Sequence, residues 1–572
     1  MLHLNWKTWL LSLSLGLLVG CFGGSGDNGS NLGGGGNARV TVQASYEKQT
    51  LSSQGLGAVV NTPARYAYVE IRQVSNNSLL ANGYLGSDGS GYADLPSGVT
   101  AYVRVFAAYE IPSTNGGSFF MRGSVVNEPY NSSRPFEATS DWYMDSSAIT
   151  VNTSGTLTVR APIANRLAGA FNIADRAVDF GMRVRDLEPS LRLPNLHTYW
   201  TTSSNPNDQT RTYPVVLMTK PQPPQPPEVV KSGSGRAIFT HAVYGLQGGA
   251  AWTEQDEWDD GALLETFGHL LFANYSYQPD GSSFLSLLRL DNENTYVSRY
   301  RPSEASVAFA GGFCDFFAGA SLNSPLLLDS YLDANRHLAV EAFDLSRHDQ
   351  VDPASRTEFT RGSVAVSLWG IWKNAFGGSS TGLASLWQAV RSNTLVQDGT
   401  GEYNAAALSS FPTYLTGLKA RNPSAWSAVV GQLQAESIPE PTATYFSGLG
   451  NNTRLWINAN LPSGTLNGSI PCYPGSEQRY YDYAQAWPFR FSFSGAPRTV
   501  TVTMNALDNQ DFELDVIGPQ GWFKSSYDGP YPKSTRTLTL NGLTAGAYVV
   551  RVRANPDAPS TAGSYRFNLT IN

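Results

Sequence analysis

The chain has little cysteine, little histidine and few charged residues: 3 cysteines and 6 histidines in 572 residues, with 15% of the residues charged. Its cysteines form no CxxC spacing, which excludes a disulfide-rich scaffold and a cysteine-type zinc site. A net charge of −7 without any basic run excludes the electrostatic footprint of a nucleic-acid-binding protein. Beyond the first residues no long apolar run occurs, so we expect no transmembrane helix in the rest of the chain.

The N-terminal segment predicts export. Lys7 precedes an apolar run over residues 9–19, which is too short to span a membrane and is typical of a signal peptide. The run ends in Leu-Val-Gly-Cys, and this resembles the lipobox of bacterial lipoproteins. The resemblance implies a signal peptide over residues 1–20, with Cys21 as the lipidated N-terminus that anchors the protein to a membrane. An ordinary signal peptide with an incidental cysteine is the alternative.

Residues 21–37 are rich in glycine, serine and asparagine and predict a flexible tether. Phe22 follows the lipidated cysteine where aspartate would indicate inner-membrane retention, so we expect an outer-membrane or cell-surface location. The two remaining cysteines, Cys314 and Cys472, lie in unrelated patterns, and we expect two buried free thiols, with one disulfide left open.

Three folded domains are predicted after the tether, over residues 38–162, 163–440 and 441–572. Alternating apolar and polar residues at 40–42, 66–74 and 102–106 predict strands of an N-terminal β-sandwich. A turn over residues 87–91 and a Leu-Pro-Ser-Gly step at 95–98 make this region resemble carboxypeptidase-regulatory-like domains. That resemblance implies a spacer or an adhesive surface.

The central region predicts a mixed sheet lobe followed by a helical lobe. A period of three and four residues predicts a helix over 168–187, and strands are expected at 215–218 and 237–246. A helix is expected to start near Asp259 or Asp260. Further helices are predicted in a series of later segments: 303–320, 323–343, 361–375, 383–392 and 403–434.

The C-terminal region returns to strands. Six segments between residues 489 and 571 predict one antiparallel sandwich. The order of an Asp-Phe-Glu-Leu-Asp strand at 511–515, Leu543-x-x-Gly546-x-Tyr548 and Gly563-x-Tyr565 resembles the pre-peptidase C-terminal domain of secreted bacterial proteases. Such a domain can carry calcium, here at Asp508, Asp511 and Asp515. A solvated acidic strand edge is the simpler interpretation.

Three central segments together resemble zincin metallopeptidases of the H-E-F-G-H type, whose second helix supplies a glutamate ligand. Their motifs read E-[YW]-D-D then H-E-F-G-H, A-[FW]-S-E-G-[FW]-A, and E-G-S-V-A-x-x-L-W-D. The corresponding segments here are Glu257-Trp258-Asp259-Asp260 with Glu265-Thr266-Phe267-Gly268-His269, Ala308-Phe309-Ala310-Gly311-Gly312-Phe313-Cys314, and Arg361-Gly362-Ser363-Val364-Ala365-Val366-Ser367-Leu368-Trp369-Gly370. The resemblance implies a zincin-like α+β fold over residues 163–440.

The positions that carry the chemistry do not match. The three zinc ligands implied by the resemblance fall on Glu265, His269 and Gly311, and glycine cannot bind a metal. The general base falls on Thr266, whose hydroxyl cannot take a proton from water near neutral pH. The motif's final aspartate is Gly370. No intact catalytic set is therefore expected.

A non-catalytic metal site remains an alternative. Glu265 and His269 are four residues apart and share a helix face, and Asp315 lies one turn beyond Gly311 as a third ligand. The simpler interpretation is a helix pair together with a solvated or capping aspartate. We expect no cofactor, with zinc here and calcium in the C-terminal region as the alternatives.

The sequence thus predicts a cell-envelope lipoprotein with a catalytically degenerate metallopeptidase-like domain. Its expected role is to bind a polypeptide or an envelope polymer without cleaving it. An active zinc metallopeptidase with atypical ligands is one alternative. A purely adhesive or structural surface protein is the other.

Overall fold

The chain combines β-sheet regions with a helical region. In the described residues it is a β-rich multidomain protein with seven helices and five β-sheets, which confirms the mixed multidomain class. Residues 1–29, with the predicted signal peptide and Cys21, lie outside the described part. The computed structural model describes residues 30–114, 119–127, 141–164, 166–191, 193, 195–200, 215–219, 256–275, 299–300, 305–332, 338–391, 410–442, 457–459, 461–472, 486–508, 512–517, 523–525, 534–554 and 563–572.

Two sheets form the N-terminal region. A five-stranded sheet has the order β1-β6-β2-β11, with β3 on β2, and an eight-stranded sheet has the order β13-β12-β8-β7-β4-β5, with β9 and β10 on β7. The strands are β1 (Ser30–Asn31), β2 (Ala38–Ser52), β3 (Gly55–Pro63), β4 (Ala67–Gln73), β5 (Leu79–Tyr84), β6 (Ser90–Leu95), β7 (Val99–Ile111), β8 (Met121–Val126), β9 (Tyr143–Asp145), β10 (Ile149–Val151), β11 (Ser154–Ala161), β12 (Asn195–Tyr199) and β13 (Val215–Thr219).

Alternation places one face of each long strand in the core. Val40, Val42 and Tyr46 on β2 are fully buried, while the residues between them are more exposed. The strands predicted at 40–42, 66–74 and 102–106 coincide with β2, β4 and β7, which confirms them.

The first helix, α1 (Leu167–Leu187), matches its prediction and packs on this β-structure. Gly181 permits a close approach, because an added Cβ would lie 2.3 Å from Ile111 Cδ1. One continuous cluster of buried apolar residues runs from Leu32 to Ile438. The predicted boundary after residue 162 therefore falls inside a shared core, and β12 and β13, which follow α1, join the N-terminal eight-stranded sheet. The domain limits themselves remain predictions.

Polar contacts also join β2 to the helices. The Tyr46 hydroxyl donates to Asn172 Oδ1 and is 2.9 Å from Asp175 Oδ2. Arg65 Nε donates to Asp175 Oδ1 over 2.6 Å, and Lys48 forms an ion pair with Asp260. The start of the second helix is thus tied to the N-terminal strand β2.

The segments that resemble the zincin motifs lie within three of the other helices or directly before one of them. A π-helical turn over residues 371–375 directly continues the helix Arg361–Gly370. No helix in the described ranges combines the length and hydropathy that a membrane crossing requires. The helices are α2 (Asp260–Tyr275), α3 (Ala305–Leu322), α4 (Arg361–Gly370), α5 (Ser380–Arg391), α6 (Phe411–Arg421) and α7 (Trp426–Ala435).

One helical prediction is wrong. Residues 323–343 form an antiparallel hairpin of β14 (Leu326–Leu332) and β15 (Leu338–Asp344), with Leu327 opposite Phe343. A short apolar run such as Leu326-Leu327-Leu328 has no period that separates a strand from a helix, so the tertiary context decides. The second lobe is therefore not all-helical. Residues 237–246, predicted as a strand, lie outside the described residues.

The C-terminal region is a separate sandwich. A five-stranded sheet has the order β16-β18-β23-β20-β21 and a four-stranded sheet the order β17-β24-β19-β22. Its buried residues form their own cluster from Ala459 to Ile571. The predicted strands are confirmed. They are β16 (Ile457–Asn458), β17 (Leu466–Cys472), β18 (Ala486–Phe493), β19 (Arg498–Ala506), β20 (Phe512–Ile517), β21 (Phe523–Ser525), β22 (Thr535–Leu543), β23 (Gly546–Ala554) and β24 (Gly563–Ile571).

Candidate functional site: a buried ionic cluster

Helices α2, α3 and α4 bring together the residues singled out by the motifs. Glu265 and His269 lie one turn apart on α2, Asp315 lies on α3, and Arg361 is the first residue of α4. Their exposed fractions are 7%, 2%, 0% and 7% respectively. With Arg299, which is 5% exposed, these side chains form what we call the ionic cluster. All five side chains of the ionic cluster are therefore buried.

Arg361 supplies the main positive charge. Its Nε donates to Asp315 Oδ2 over 2.7 Å and its Nη2 donates to Asp315 Oδ1 over 2.8 Å, a two-point contact between planar groups. The same Nη2 donates to Glu265 Oε1. One guanidinium thus joins helices α2 and α3 at the N-terminus of α4.

Arg299 makes a second bridge between the same carboxylates. Its Nη2 is 3.0 Å from Asp315 Oδ1 and 3.0 Å from Glu265 Oε2. Its Nη1 reaches Glu341 Oε1 on β15 at 3.4 Å, and the Tyr300 hydroxyl donates to the same oxygen. Three carboxylates from α2, α3 and β15 therefore face two guanidiniums.

His269 extends the cluster toward α3. Its Nε2 lies 3.4 Å from Glu265 Oε1, and its ring contacts the Cys314 thiol. Burial alone would lower the pKa of His269, but Cys314 and Glu265 raise it to about 10, so the imidazole is cationic at neutral pH. Burial would raise the pKa of Glu265, whereas Arg361, His269 and Arg299 hold it well below its usual value. The confirmed free, buried Cys314 has a pKa raised by burial and is a poor nucleophile.

Gly311 explains how Arg361 reaches the centre. A Cβ added at Gly311 would lie 2.8 Å from Arg361 Cδ and 3.1 Å from its Nε. The place where the resemblance implies a third ligand is thus filled by the stem of an arginine. Gly312 permits the α3–α4 contact beside it, because its added Cβ would lie 2.7 Å from Val364 Cβ.

The residues present do not fit a zinc ion. Both carboxylates accept hydrogen bonds from buried guanidiniums, Gly311 offers no donor atom, and Thr266 at the base position is a buried hydroxyl. In the ranges described, no group of three or more His, Cys, Asp or Glu side chains could hold a metal ion. Zinc at Glu265, His269 and Asp315 therefore has no support among these residues.

A second set of acids lies beside the cluster, on the hairpin. Asp329 and Glu341 are directly opposite each other on β14 and β15. Burial raises the pKa of Asp329 to about 6, with Glu265 and Glu341 adding to the rise and Arg299 opposing it. Asp259, before α2, accepts from Ser330 N and Oγ at 2.6 and 2.7 Å. The hairpin is thus attached to the start of α2.

The two C-terminal calcium candidates that the structure describes each pair with an arginine. Asp508 pairs with Arg566 at the surface over 3.0 Å. Asp515 is fully buried against Arg551, with an Nη2 to Oδ2 distance of 2.8 Å. Asp511 and the lipidation residue Cys21 lie outside the described residues, so calcium binding and lipid attachment remain predictions.

Sequence analysis missed the two arginines. Arg361 was visible as a departure from the pattern, since it stands where the metallopeptidase motif begins with glutamate. Arg299 carries no comparable signal, because it lies in no recognisable motif and reaches the cluster only through the fold. The signal that could have identified Arg361 is this replacement of an acidic motif residue by a basic one.

The comparisons with known proteins assign no family. No family model matches the chain, and no curated protein matches it. A weak structural neighbour is the pre-peptidase C-terminal domain of collagenase from Bacillus anthracis. The match has 11% sequence identity and a TM-score of 0.16, and it covers 21% of this chain and 99% of that domain.

Two periplasmic inhibitors of g-type lysozyme are also weak neighbours. The one from Aeromonas hydrophila shows 12% identity over 20% of this chain and 96% of its own, with a TM-score of 0.13. The one from Salmonella Typhimurium shows 17% identity over 20% of this chain and 98% of its own, also with a TM-score of 0.13. Scores this low assign neither a family nor an activity to the chain.

Proposed function

We propose that the protein is a lipid-anchored cell-envelope protein whose metallopeptidase-like centre is non-catalytic and whose role is to bind a polypeptide or an envelope polymer. The observation that carries the non-catalytic part is the guanidinium of Arg361, which lies against Gly311 and binds Asp315 and Glu265. The zincin-like fold of residues 163–440 and the lipid at Cys21 belong to the same proposal and rest on the sequence motifs.

Hydrolysis by a zinc enzyme needs an open coordination position and a base that activates water. Here the base position is Thr266, and the carboxylate of Glu265 is already engaged by two arginines. A water molecule between these groups would meet no metal ligand set and no free carboxylate. This supports a protein that holds its ligand without cutting it.

Ligand contact must then occur away from the ionic cluster. Glu265, Asp315 and Arg361 expose 7% of their surface or less, so they act on the shape of the central region rather than on the ligand. The filled centre also favours a second candidate function, an adhesive or assembly module in which no ligand enters the central region.

A peptidase assay tests the non-catalytic part. Purified full-length protein is incubated with casein and a peptide library, with and without added zinc, and with chelator. We expect no turnover above a buffer control under any condition. Turnover that is abolished by chelator and by His269→Ala would contradict the proposal and favour an active metallopeptidase.

A sedimentation assay separates the two non-catalytic candidates. We expect the protein to co-sediment saturably with cell-wall polymer or to bind denatured casein immobilised on beads. Saturable binding supports the binding role. Absence of binding to both, together with self-association on vesicles, would favour the adhesive or assembly role.

Fractionation tests the anchor. Wild-type protein is expected in the membrane fraction and in the detergent phase, whereas Cys21→Ser is expected in the soluble exported fraction. An unchanged distribution of Cys21→Ser would contradict lipid attachment at this residue.

A further inference from the structure

We propose that the outer face of the eight-stranded sheet binds a single glycan chain of β-linked pyranose sugars. The site is a row of four aromatic rings beside a row of four polar side chains, carried by β5, β4, β7 and β9. This inference deepens the proposed function and rests on its binding role, because it names the class of polymer and the surface that binds it.

Strand alternation places the aromatic rings on the face that points away from the core. Val69 on β4 and Val105 on β7 are fully buried, whereas the neighbouring Tyr68 and Phe106 are only partly buried. Tyr143 on β9 exposes 44% of its surface. Contiguous aromatic surface that the core does not use is typical of a binding site.

The four rings lie in register across neighbouring strands. Tyr84 on β5 is directly opposite Tyr68 on β4. Phe106 on β7 is directly opposite Tyr143 on β9. The centroid-to-centroid distances along the row are 5.3, 5.5 and 5.9 Å. These steps are close to the length of one pyranose unit in a β-linked chain, so consecutive sugars can each place a C–H face on the electron-rich face of one ring.

The angles between the rings indicate the form of the glycan. Along the row, neighbouring ring planes are inclined by 53°, 38° and 49°. Coplanar rings suit the flat surface of a polysaccharide crystal, whereas rings that turn from one strand to the next suit a single twisted chain. We therefore expect a soluble glycan chain as the ligand.

The row of polar side chains runs beside the rings, two residues along each strand and therefore on the same face. Asn82 lies opposite Glu70, and Arg104 lies opposite both Glu70 and Asp145. Arg104 donates to Asp145 through two contacts of 2.8 Å, and Asn82 Nδ2 donates to the Tyr68 hydroxyl over 2.8 Å. These contacts fix donors and acceptors where the hydroxyl groups of a stacked sugar would lie.

Charge and strand pairing favour a glycan over a polypeptide. Both arginines of these four strands are paired with carboxylates, Arg72 with Glu70 at 2.7 Å and Arg104 with Asp145 at 2.8 Å. A face whose charges are paired in this way attracts neither an acidic nor a basic polymer. Strands β4 and β7 are hydrogen-bonded on both edges, so a polypeptide cannot pair with them as a further strand. An uncharged chain of hydroxyl groups fits both observations.

The test measures the binding of chitohexaose and cellohexaose to the full-length protein by titration calorimetry. Wild type is expected to bind at least one of them. Tyr143→Ala is expected to weaken that binding about five- to tenfold, because one stacking ring is lost. Tyr143→Phe keeps the ring and is expected to bind within about twofold of wild type.

The matched control is Tyr92→Ala on the five-stranded sheet. Both tyrosines lie beneath an arginine: Arg39 Cζ is 4.5 Å from the Tyr92 ring centroid, and Arg104 Cζ is 4.0 Å from that of Tyr143. Tyr92→Ala is expected to bind the oligosaccharide as wild type does. Wild type that binds neither oligosaccharide, or Tyr143→Ala that binds as tightly as Tyr92→Ala, overturns the inference.

A double variant tests the centre of the row. Tyr68→Ala with Phe106→Ala is expected to abolish measurable binding, and its melting temperature shows whether it is folded. A folded double variant that binds as tightly as wild type overturns the inference. If the double variant does not fold, the two Tyr143 variants decide the question, because Tyr143 is exposed.

A parallel titration with denatured casein separates this inference from the proposed function. Wild type that binds casein and neither oligosaccharide overturns the glycan site and leaves the proposed binding role. Peptide turnover by a protein whose glycan binding still depends on Tyr143 overturns the non-catalytic function alone. Binding to neither class of polymer overturns both.

Discussion

The central and C-terminal regions each bury an arginine against a carboxylate, but they build the contact differently. In the C-terminal region Asp515 and Arg551 lie directly opposite each other on β20 and β23, and the cluster of buried residues around them is separate from the rest of the chain. In the central region the contact uses α2, α3, α4 and β15, inside a core that extends to the N-terminal sheets.

The difference shows what each contact holds together. The Asp515–Arg551 pair joins neighbouring strands that backbone hydrogen bonds already connect. The ionic cluster joins elements that have no common backbone ladder, so its charges fix how helices meet. A pair between two neighbouring strands can be lost with local consequences, whereas loss of a cation shared by several elements affects them all at once.

The largest expected effect distinguishes the two regions directly. Arg361→Ala is expected to lower the free energy of unfolding by about 3 to 5 kcal/mol, because it leaves Glu265 and Asp315 facing one guanidinium. Arg551→Ala is expected to lower it by about 3 kcal/mol in the C-terminal transition only, since that core is separate. Calorimetry of the full chain measures both. Equal shifts of every transition by Arg551→Ala would contradict this comparison.

The next effect concerns pH and is confined to the central region. The folded pKa of His269 is about 10, above its unfolded value of 6.5. Its stabilising contribution is therefore fully present below pH 6.5 and is lost as the pH rises through 10. The stability difference between wild type and His269→Gln is expected to shrink by roughly 3 kcal/mol between pH 6 and pH 10. Urea titrations measure it, and a difference that is constant with pH would contradict it.

A smaller effect is expected from the glycine that admits Arg361. Gly311→Ala is expected to destabilise by about 1 to 3 kcal/mol, because its Cβ would overlap the Arg361 stem. The control is Gly431→Ala on α7, where an added Cβ meets nothing within 4 Å. Helix propensity alone should make the control neutral or more stable by about 0.5 to 1 kcal/mol. Thermal melts that rank the two variants the other way would refute the role of Gly311.

The smallest expected effect is an increase in stability rather than a decrease. Asp329 has a folded pKa of about 6, above the usual 3.8, so its ionised form costs stability as the pH rises from 3.8 through 6. Asp329→Asn is expected to stabilise by about 1 to 2 kcal/mol at pH 7.5 and to have little effect near pH 3.5. The control Asp508→Asn should destabilise at pH 7.5, because Arg566 lowers the pKa of Asp508. Urea unfolding at both pH values checks the signs.

Much of the fold was predictable because its elements depend on local periodicity. The three-four spacing after Ala168 predicted α1 within one residue at each end. The alternation around Val40 predicted the start of β2 within two residues, but not its extension to Ser52. The hairpin of β14 and β15 was not, because three consecutive leucines suit a buried strand and a buried helix equally. Its strand form depends on the partner Glu341–Phe343 and on the bond from Ser330 to Asp259.

Local periodicity also made part of the candidate site predictable. The i, i+4 spacing of Glu265 and His269 placed them on one face of α2. Asp315 was grouped with them as a metal ligand, and in the structure it shares the guanidiniums of Arg361 and Arg299 with Glu265. The guanidiniums that bind these carboxylates belong to Arg361 and Arg299. At position 361 only the replacement of an acidic motif residue by arginine was informative, and no motif in the sequence singled out Arg299.

Sequence alone determined which side chains stand at the motif positions: glycine at 311 has no side chain that could bind a metal, and threonine at 266 has a hydroxyl that does not take a proton from water near neutral pH. Tertiary structure decided which side chains occupy the space beside Gly311. Arg361 and Arg299 are distant from α2 along the chain, and buried carboxylates bind the cations that the packing of helices brings within hydrogen-bond distance. Side-chain identity sets what an atom can do, whereas only the folded core sets which opposite charge lies beside it.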